Sequence, residues 1–347
     1  MNPDAKRFGT GTKFISVMDI LNNQYICYDN IRASVELQDG DIEAYGVNYG
    51  DILFQRSSET LEDIGRANVY LDSKPAIFGG FVIRGKSKDN YNPLFFRYLL
   101  ASPTARKRII VKGAGAQHFN IGQDALSKVF IDIPTLKEQK KIGKLLQCLD
   151  ERIATQNKII DKLQSLIKGI RHDIFNDIQG EVLALSNIAD IYQPQTISSS
   201  DLTTEGYWVY GANGIIGKYK EYNHETEQIC ITCRGNTCGT VNYTQPKVWI
   251  TGNSMVINTD KYQRQVNKRF LFHYLSSYNF NSIVSGSGQP QIVRTPLEKI
   301  KVVLPTIEKQ VRIANSIDIV SEKIDTESLV LRLLENQKQY LLRQMFI

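Results

Sequence analysis

The sequence predicts an α/β protein in which two tandem α/β domains are each followed by a long helix, with the helices paired as an antiparallel coiled coil. Three observations predict this fold. A heptad pattern of apolar residues starts at Leu146 and recurs 171 residues later, at Ile317. A Pro-Thr dipeptide precedes both patterns, at Pro134 and Pro305. The segments before the helices repeat one order of apolar runs and glycine-rich turns, which indicates a duplicated unit with pseudo-twofold symmetry.

The repeat divides the 347 residues into a first domain at 1–134, a first helix at 135–178, a second domain at 179–304 and a second helix at 305–347. In the first domain we predict strands at 13–17, 51–55 and 78–83, a helix from Pro93 to before Pro103, a glycine-rich turn at 112–117 and a strand at 129–133. The second domain repeats this order at 229–235, 249–257, 270–275, 285–289 and 301–304. The segment 183–192 has no counterpart before Lys13, so the first domain is expected to lack an edge strand, which puts its completeness in doubt.

The helices are predicted from seams whose steps alternate between three and four residues. The first seam comprises Leu146, Leu149, Ile153, Gln156, Ile160, Leu163, Ile167, Ile170 and Ile174. The second comprises Ile317, Val320, Ile324, Glu327, Leu331, Leu334, Lys338, Leu341 and Met345. A helix from Leu136 to Asn176 would be about 60 Å long. The polar seam residues of the two helices are expected to fix the register, so replacing Gln156, Glu327 and Lys338 with Leu should stabilise the pair and loosen the register.

Both helices begin with recognisable signals. Thr135 with Glu138 forms the pattern of a capping box, because each side chain can bond the backbone of the other residue. Thr306 lacks a Glu three residues later and has Glu308 in the first turn instead.

Composition bounds the class of protein. No apolar run approaches the length of a membrane span, and the N-terminus is unlike a signal peptide. Five cysteines without such a signal are typical of reduced thiols, so we expect a cytoplasmic protein. The net charge of +6 is compatible with a nucleic-acid partner, but no segment carries a dense basic stripe that would decide the matter.

Enzyme motifs are incomplete. The segment 211–218 resembles a P-loop but has Ala212 in place of a glycine and Tyr219 where Ser or Thr is required. The four histidines form no evident triad. Cys230, Cys233 and Cys238 suggest zinc, yet a strand would point the first two to opposite faces. We therefore predict a chain without catalytic residues, metal or cofactor.

The sequence resembles the specificity subunit of type I restriction-modification systems over nearly its whole length. The resemblance is carried by the duplicated helix starts and by fragments at 49–53, 210–217, 238–241 and 249–253. It implies that each domain is a target-recognition domain that recognises one part of a split DNA site, with the helices as a ruler between them. It also implies two methyltransferase subunits that bring S-adenosylmethionine, and motor-nuclease subunits that use ATP and Mg²⁺.

Polar residues on predicted loops are the candidates for DNA contact, because Arg, Asn and Gln can form paired hydrogen bonds with base edges. In the first domain they are Gln55, Arg56, Ser57, Arg66, Lys112, Gln117 and Asn120. In the second domain they are Asn213, Lys218, Arg234, Asn236, Thr237, Gln289, Gln291 and Arg294. Each residue has a simpler interpretation as a solvated loop side chain.

Two further alternatives stay open. The glycines at 113–115 and 286–288 either let backbone amides approach phosphates or simply form turns. The outward face of the first helix, with Lys137, Lys141, Lys144 and Arg152, either contacts a methyltransferase or is solvated. The rival to DNA recognition is a coiled-coil adaptor for protein assembly, which salt-dependent DNA binding would exclude.

Overall fold

The computed structural model describes residues 1, 3–115, 117–212, 214–286 and 288–346. Two compact units are present. Unit 1 comprises Met1–Asn157 and Leu329–Ile347, and unit 2 comprises Lys158–Ser328. Each unit therefore contains one α/β domain and a part of each long helix. Within the described ranges, no helix is both long and apolar enough to cross a membrane.

The first domain consists of short strands and helices that lead into a long helix. Its strands are β1 (Phe8–Ile15), β2 (Ala33–Val35), β3 (Gly46–Val47), β4 (Ile52–Gln55), β5 (Ser57–Ser58), β6 (Ala67–Val69), β7 (Ala76–Phe78), β8 (Val82–Gly85) and β9 (Phe119–Asn120). Its helices are α1 (Val17–Asn22), α2 (Asp41–Tyr45), α3 (Pro93–Ala101), α4 (Pro103–Ile110) and α5 (Gln123–Leu126), and α6 (Leu136–Asn176) is the first long helix.

The second domain follows α6. Its strands are β10 (Glu181–Ala184), β11 (Asp190–Tyr192), β12 (Tyr207–Gly211), β13 (Gly214–Tyr219), β14 (Ile229–Thr232), β15 (Val241–Tyr243), β16 (Trp249–Ile250), β17 (Ser254–Asn258) and β18 (Lys301–Leu304). Its helices are α7 (Lys268–Ser277) and α8 (Arg294–Glu298), and α9 (Ile307–Met345) is the second long helix.

The two domains share one sheet plan. The strand orders are β2-β1-β7-β3 and β6-β4-β8 in unit 1, and β13-β12-β16 and β11-β17-β14-β15 in unit 2. Strands β4 and β14 are central and carry fully buried residues such as Leu53 and Ile231. Among the described residues, the sheet around β4 has three strands where the sheet around β14 has four, and the difference is β11, within the segment that has no counterpart in the first domain.

Three predicted strands are wrong. The run 249–257 is divided between β16 and β17, which pair with β12 and β14 in different sheets. Residues 129–133 form no strand. Their counterpart β18 is paired along its length with β10, from Lys301 opposite Ala184 to Leu304 opposite Glu181, and the described part of the first domain offers no such partner. The run 78–83 is not one strand: it contains the end of β7, a turn at 79–81 and the start of β8, and these two strands pair with β1 and β4 in different sheets. The strand predicted at 13–17 begins earlier, at Phe8, and ends at Ile15, because Ser16 caps α1 through Asp19.

The starts of both long helices are tied to their domains by equivalent glutamines. Gln139 Oε1 accepts from the backbone N of Asn92 at 3.0 Å, and its Nε2 donates to the Pro134 carbonyl at 2.9 Å. Gln310 makes the same bonds to Asn267 N (2.8 Å) and the carbonyl of Pro305 (2.9 Å). The predicted capping box is confirmed, because Thr135 N donates to Glu138 Oε2 and Glu138 N donates to Thr135 Oγ1.

The long helices run antiparallel within unit 1. Lys338 Nζ on α9 lies 2.5 Å from Asp150 Oδ1 on α6, and Leu342 and Phe346 cluster with Leu146. Residue numbers thus rise along α9 as they fall along α6. All residues of both predicted seams have buried or half-buried side chains, and the apolar stripe of each helix is therefore kept from solvent.

Two glycines of α6 should respond oppositely to the same substitution. A Cβ on Gly143 would lie 2.9 Å from Asn92 Oδ1, which caps α3 by accepting from Phe95 N, whereas a Cβ on Gly169 would meet nothing within 4 Å. We expect Gly143→Ala to lower the free energy of unfolding of unit 1 by about 1–2 kcal/mol through the disturbed cap. Gly169→Ala should raise stability by about 0.5–1 kcal/mol through helix propensity. Urea unfolding of both variants tests this, and a Gly143→Ala chain as stable as the parent would contradict it.

In unit 2 a buried histidine connects the domain to both long helices. His273 on α7 lies 2.8 Å by Nε2 from Asp318 on α9, and its Nδ1 lies 3.0 Å from Nη2 of Arg171 on α6. Since an arginine can only donate, Nδ1 must accept, so His273 is neutral with its proton on Nε2. Burial, together with the charges of Arg171 and Arg269, lowers the pKa of His273 to about 4 despite the opposing effect of Asp318. Burial alone would raise the pKa of Asp318, but hydrogen bonds from Arg269 and His273 lower it overall.

Unit 2 should therefore lose stability in mild acid. Between pH of about 6.5 and 4 the unfolded chain binds a proton on His273 that the folded unit does not, so stability that is present above this range is lost as the pH falls through it. We expect His273 to make unit 2 about 2 kcal/mol less stable at pH 5 than at pH 7. In His273→Gln this loss should shrink by that amount in urea unfolding at the two pH values. A part of the loss of stability between pH 7 and pH 5 should remain in the variant, since burial also lowers the pKa of His224 to about 4. An unchanged pH dependence in the variant would refute the assignment.

Candidate nucleic-acid interface

A short hairpin lies beside the end of the central strand in unit 1. Residues 114–120 form it, with Ala114 N donating to the Asn120 carbonyl (2.9 Å) and Asn120 N donating to the Ala114 carbonyl (2.8 Å). We call this segment hairpin 1. Its second strand, β9, pairs with β5, and Ser57 Oγ donates to Asn120 Oδ1 at 2.6 Å. Next to this pair, Ile121 N donates to the Arg56 carbonyl at 2.9 Å. Hairpin 1 therefore lies against the residues that directly follow β4.

Unit 2 repeats this arrangement 171 residues later. In residues 285–291, which we call hairpin 2, Ser285 N and Gln291 N each donate to the other's carbonyl at 2.8 Å. Gln291 also bridges to Arg234 in an antiparallel pair, and Ile292 N donates to the Cys233 carbonyl at 3.0 Å. Both domains thus place a hairpin of the same length beside the end of their central strand.

The hairpins require glycine at one equivalent position. Gly115 and Gly286 have φ of +136° and +94°, a region that other residues rarely adopt. A Cβ there would lie 2.1 Å from the His118 carbonyl oxygen and 2.4 Å from that of Gln289. A turn therefore explains these glycines, and the approach of their amides to phosphates stays a prediction.

In unit 1 the structure brings together four of the seven candidates. Arg56, Gln117 and Asn120 are exposed, and Ser57 is half-buried between them. Lys112 is half-buried in the turn before hairpin 1.

Two unit 1 candidates are placed elsewhere. Gln55 is 5% exposed and donates through Nε2 to the Ser57 carbonyl at 2.8 Å, because it ends β4 with its side chain turned inward. Arg66 pairs with Asp63 at 2.6 Å and lines a cavity that does not include Arg56. We therefore leave Gln55 and Arg66 out of the candidate interface.

In unit 2 most candidates surround hairpin 2. The exposed residues are Arg234, Asn236, Thr237, Gln289, Gln291 and Arg294. Arg294 is held by Glu298 at 2.7 Å. Lys218 lies on β13, half-buried, with Nζ 4.7 Å from the centre of the Trp208 ring. Ala212, which directly follows β12, lies near the end of β14, since its carbonyl accepts from Thr232 Oγ1 at 2.5 Å. The candidate Asn213 lies outside the described residues.

Each interface contains a depression whose described lining holds arginines and no carboxylate. In unit 1 the depression measures about 550 Å³ and includes Arg56 and Arg84. In unit 2 it measures about 370 Å³ and includes Arg234, Gln291 and Arg294. Arg294 is paired with Glu298, whereas Arg56 and Arg234 form no ion pair with any residue that the structure describes. Such unpaired guanidinium groups beside exposed amide side chains favour a polyanionic ligand that is also recognised by hydrogen bonds.

Arg84 was missed by the sequence analysis. It lies in β8 with its guanidinium 5.3 Å from the centre of the Phe78 ring. The available signal was a charged residue directly after the apolar run 81–83, because a charge in a strand favours the edge of a sheet.

The cysteines have no metal-binding geometry. Cys230 and Cys233 belong to different buried clusters, as expected for opposite faces of β14 and its extension. Burial raises the pKa of both thiols, which keeps them protonated. In the described part of the chain, no three His, Cys, Asp or Glu side chains are grouped to hold a metal ion.

Comparison with known proteins gives one family. A family model described as the type I restriction modification DNA specificity domain matches residues 1–165 and 178–336. A putative type I restriction enzyme MjaX specificity subunit from Methanocaldococcus jannaschii is 27% identical over 327 residues, covering 84% of this chain and 76% of that protein. The type I restriction enzyme EcoprrI specificity subunit from Escherichia coli is 29% identical over 156 residues, which cover 44% of this chain and 37% of that protein.

Solved structures share the fold. The S subunit of a type I restriction-modification system from M. genitalium has a TM-score of 0.62 at 17% identity, with 99% of this chain and 94% of that chain covered. A chain solved to explain complex assembly and conformational transition of the type I R-M system has a TM-score of 0.56 at 14% identity, with 97% and 94% covered. At these identities the likeness is one of fold.

Proposed function

This chain belongs to the family of type I restriction-modification DNA specificity domains, which it matches twice in tandem, and from this we propose that it recognises a two-part DNA site, one part with each domain. Specificity subunits of this family are non-catalytic DNA-recognition components. The division of the site between the two domains is our inference.

The duplicated hairpin beside the central strand carries the proposal. Hairpins 1 and 2 present the exposed amide side chains of Asn120 and Gln291. Asn120 pairs with Ser57, the residue after the exposed Arg56, whereas Gln291 pairs with the exposed Arg234 itself. Asn and Gln suit the paired hydrogen bonds of adenine, and Arg suits those of guanine. An exposed arginine and an exposed amide side chain thus occur in both domains, beside a depression whose described lining has no carboxylate, and this supports base recognition in two places.

We assign the remaining candidates to the rim of each interface. Phosphate contacts position a protein and hold it through charge, whereas base contacts specify the sequence. Lys112 and Lys218 suit the first role. The proposed contacts comprise Arg56, Ser57, Arg84, Lys112, Gln117 and Asn120 in the first domain and Asn213, Lys218, Arg234, Asn236, Thr237, Gln289, Gln291 and Arg294 in the second.

In this proposal the long helices α6 and α9 act as the spacer. Half-sites read from one face of DNA are separated by about 34–36 Å or a multiple. Helices of 41 and 39 residues are of that scale, at about 1.5 Å per residue. Lengthening both should therefore lengthen the unspecified gap between the two half-sites.

We further propose that the chain assembles with two methyltransferase subunits and with motor-nuclease subunits. S-adenosylmethionine would bind to the former and ATP with Mg²⁺ to the latter. Lys137, Lys141, Lys144 and Arg152 are exposed on α6 and are the proposed contacts for a methyltransferase.

Co-expression with a methyltransferase subunit from the same operon, in a host without DNA methylation, tests the proposal. Methylated adenines mapped across the DNA should fall at one motif of two specific blocks around a fixed gap. Co-purification of the subunits without any methylated motif would favour the assembly adaptor instead. DNA binding that does not weaken with added salt would also contradict the proposal.

A further inference from the structure

Three arginines line a cavity of about 300 Å³ in unit 1 that is separate from the depression at Arg56. They are Arg66 before β6, Arg97 on α3 and Arg106 on α4. The rest of the lining is largely apolar and includes Ile20 and Leu100. We call this cavity the arginine pocket.

Two of these arginines are held rigidly by backbone carbonyls. Arg106 Nη2 donates to the carbonyls of Glu62 (2.9 Å) and Ile64 (2.6 Å), and Arg97 Nε donates to the carbonyl of Gln24 at 2.7 Å. Arg106 Nη1 is buried with no hydrogen-bond partner in the described part of the chain. Because an unmade bond at a buried, charged donor is costly, this atom calls for an acceptor.

The lining of the pocket carries more positive than negative charge. Arg66 pairs with Asp63 at 2.6 Å, whereas neither Arg97 nor Arg106 forms an ion pair with any residue that the structure describes. Burial lowers the pKa of both Arg97 and Arg106, and the charge of Arg66 lowers both further, against the opposing charges of Asp150 near Arg97 and of Asp63 near Arg106. Glu62 also lines the cavity but is an exposed residue. An anion that entered the pocket would relieve the repulsion among the three cations.

The second domain does not repeat Arg97 at the equivalent position. Asn92 and Asn267 cap α3 and α7 in the same way, and Arg97, the fifth residue after the first cap, corresponds to Phe272 after the second. Base recognition as proposed above rests on features present in both domains. Arg97 is therefore not part of the arrangement that the two domains share.

We propose that the arginine pocket binds a small phosphate monoester, with its phosphate on the three guanidinium groups and its less polar part against Ile20 and Leu100. Planar guanidinium groups bind phosphate oxygens through paired hydrogen bonds. A monoester carries up to two negative charges and matches the two unpaired arginines. The cavity volume is at the lower end for small-molecule sites, which excludes large ligands.

Calorimetric titration of the full chain with inorganic phosphate, adenosine 5′-monophosphate and adenosine, at constant ionic strength and without DNA, tests the proposal. We expect both phosphate compounds to bind and adenosine not to bind. Arg97→Gln and Arg106→Gln should each raise the Kd at least about tenfold, and Arg66→Gln less, because Arg66 is half-exposed and paired. Arg312→Gln, an exposed position on α9, should leave the Kd unchanged.

Since Arg106 also holds two carbonyls, Arg97→Gln and Arg66→Gln provide the test if Arg106→Gln does not fold. The absence of binding by both phosphate compounds would overturn the proposal. So would equal affinity in Arg97→Gln and the parent. If the pocket arginines affect binding of a short DNA duplex but not of either phosphate compound, the pocket belongs to the DNA interface and the proposal is wrong.

Discussion

Replacing both Arg234 and Gln291 with Ala should erase one block of the recognised DNA motif and leave the other block intact. The two residues bridge each other beside hairpin 2, and both side chains are exposed at a depression without carboxylates. Each base contact contributes about 1–3 kcal/mol of discrimination. The double variant should therefore bind its site about 100-fold less tightly or worse, and methylation mapping should show a motif with only the block read by the first domain.

The matched variant in the first domain is Arg56→Ala with Asn120→Ala, which should erase the other block. Arg332→Ala removes a charge from the exposed face of α9 and should leave the motif unchanged. If these arginines contact phosphates instead, binding should weaken equally on all sequences and the salt dependence should fall. An unaltered motif in both double variants would show that recognition lies elsewhere in the domains.

Lys338→Met should destabilise unit 1 by about 2–4 kcal/mol, because it leaves a buried carboxylate without its cation. Asp150 is 8% exposed and accepts from Tyr98 Oη (2.8 Å) and Gln24 Nε2 (3.0 Å) in addition to its 2.5 Å pair with Lys338. Those two bonds hold the carboxylate in place, so it cannot turn to solvent when Lys338 is lost. The midpoint temperature of thermal unfolding should fall by about 5–10 °C.

Two controls separate the ion pair from a general effect of charge. Lys144→Met, on the exposed face of α6, should change stability by less than about 0.5 kcal/mol. Asp150→Asn combined with Lys338→Met should recover most of the loss, since Asn still accepts from Tyr98 and no charge is buried. If Lys338→Met is as stable as the parent, the pair does not hold α6 and α9 together.

This result would also correct an expectation drawn from the seam. Treating Lys338 as a polar interruption suggested that Leu there stabilises the helix pair. The structure gives Lys338 a buried partner, so apolar replacement of this residue alone should destabilise it. For Gln156 and Glu327 the expectation stated from the sequence stays a prediction.

Local and periodic features were predictable from the sequence. The capping box of Thr135 and Glu138 depends on neighbours three residues apart, and the extent of α6 follows from a repeat that continues from turn to turn. The duplication was also visible, because equal spacing survives in the helix starts and in the glycine turns at 115 and 286. Such patterns need no knowledge of distant residues.

Features that depend on tertiary packing were not predictable from the sequence. Gln55 was expected on a loop, yet the side chain at the end of β4 points inward, and only the packed sheet decides that direction. Residues 129–133 have the apolar pattern of a strand but form none, because a strand also needs a partner for its backbone.

The sequence by itself therefore determined the two α/β domains, the two long helices and the order of their elements, since periodicity and capping act over a few residues. The tertiary structure decided which polar groups meet. Asp150 is joined to Gln24, Tyr98 and Lys338 across 126, 52 and 188 positions of the chain, and Asn120 is joined to Ser57 across 63. The identity of such partners depends on how the whole chain fills space, and no local pattern records it.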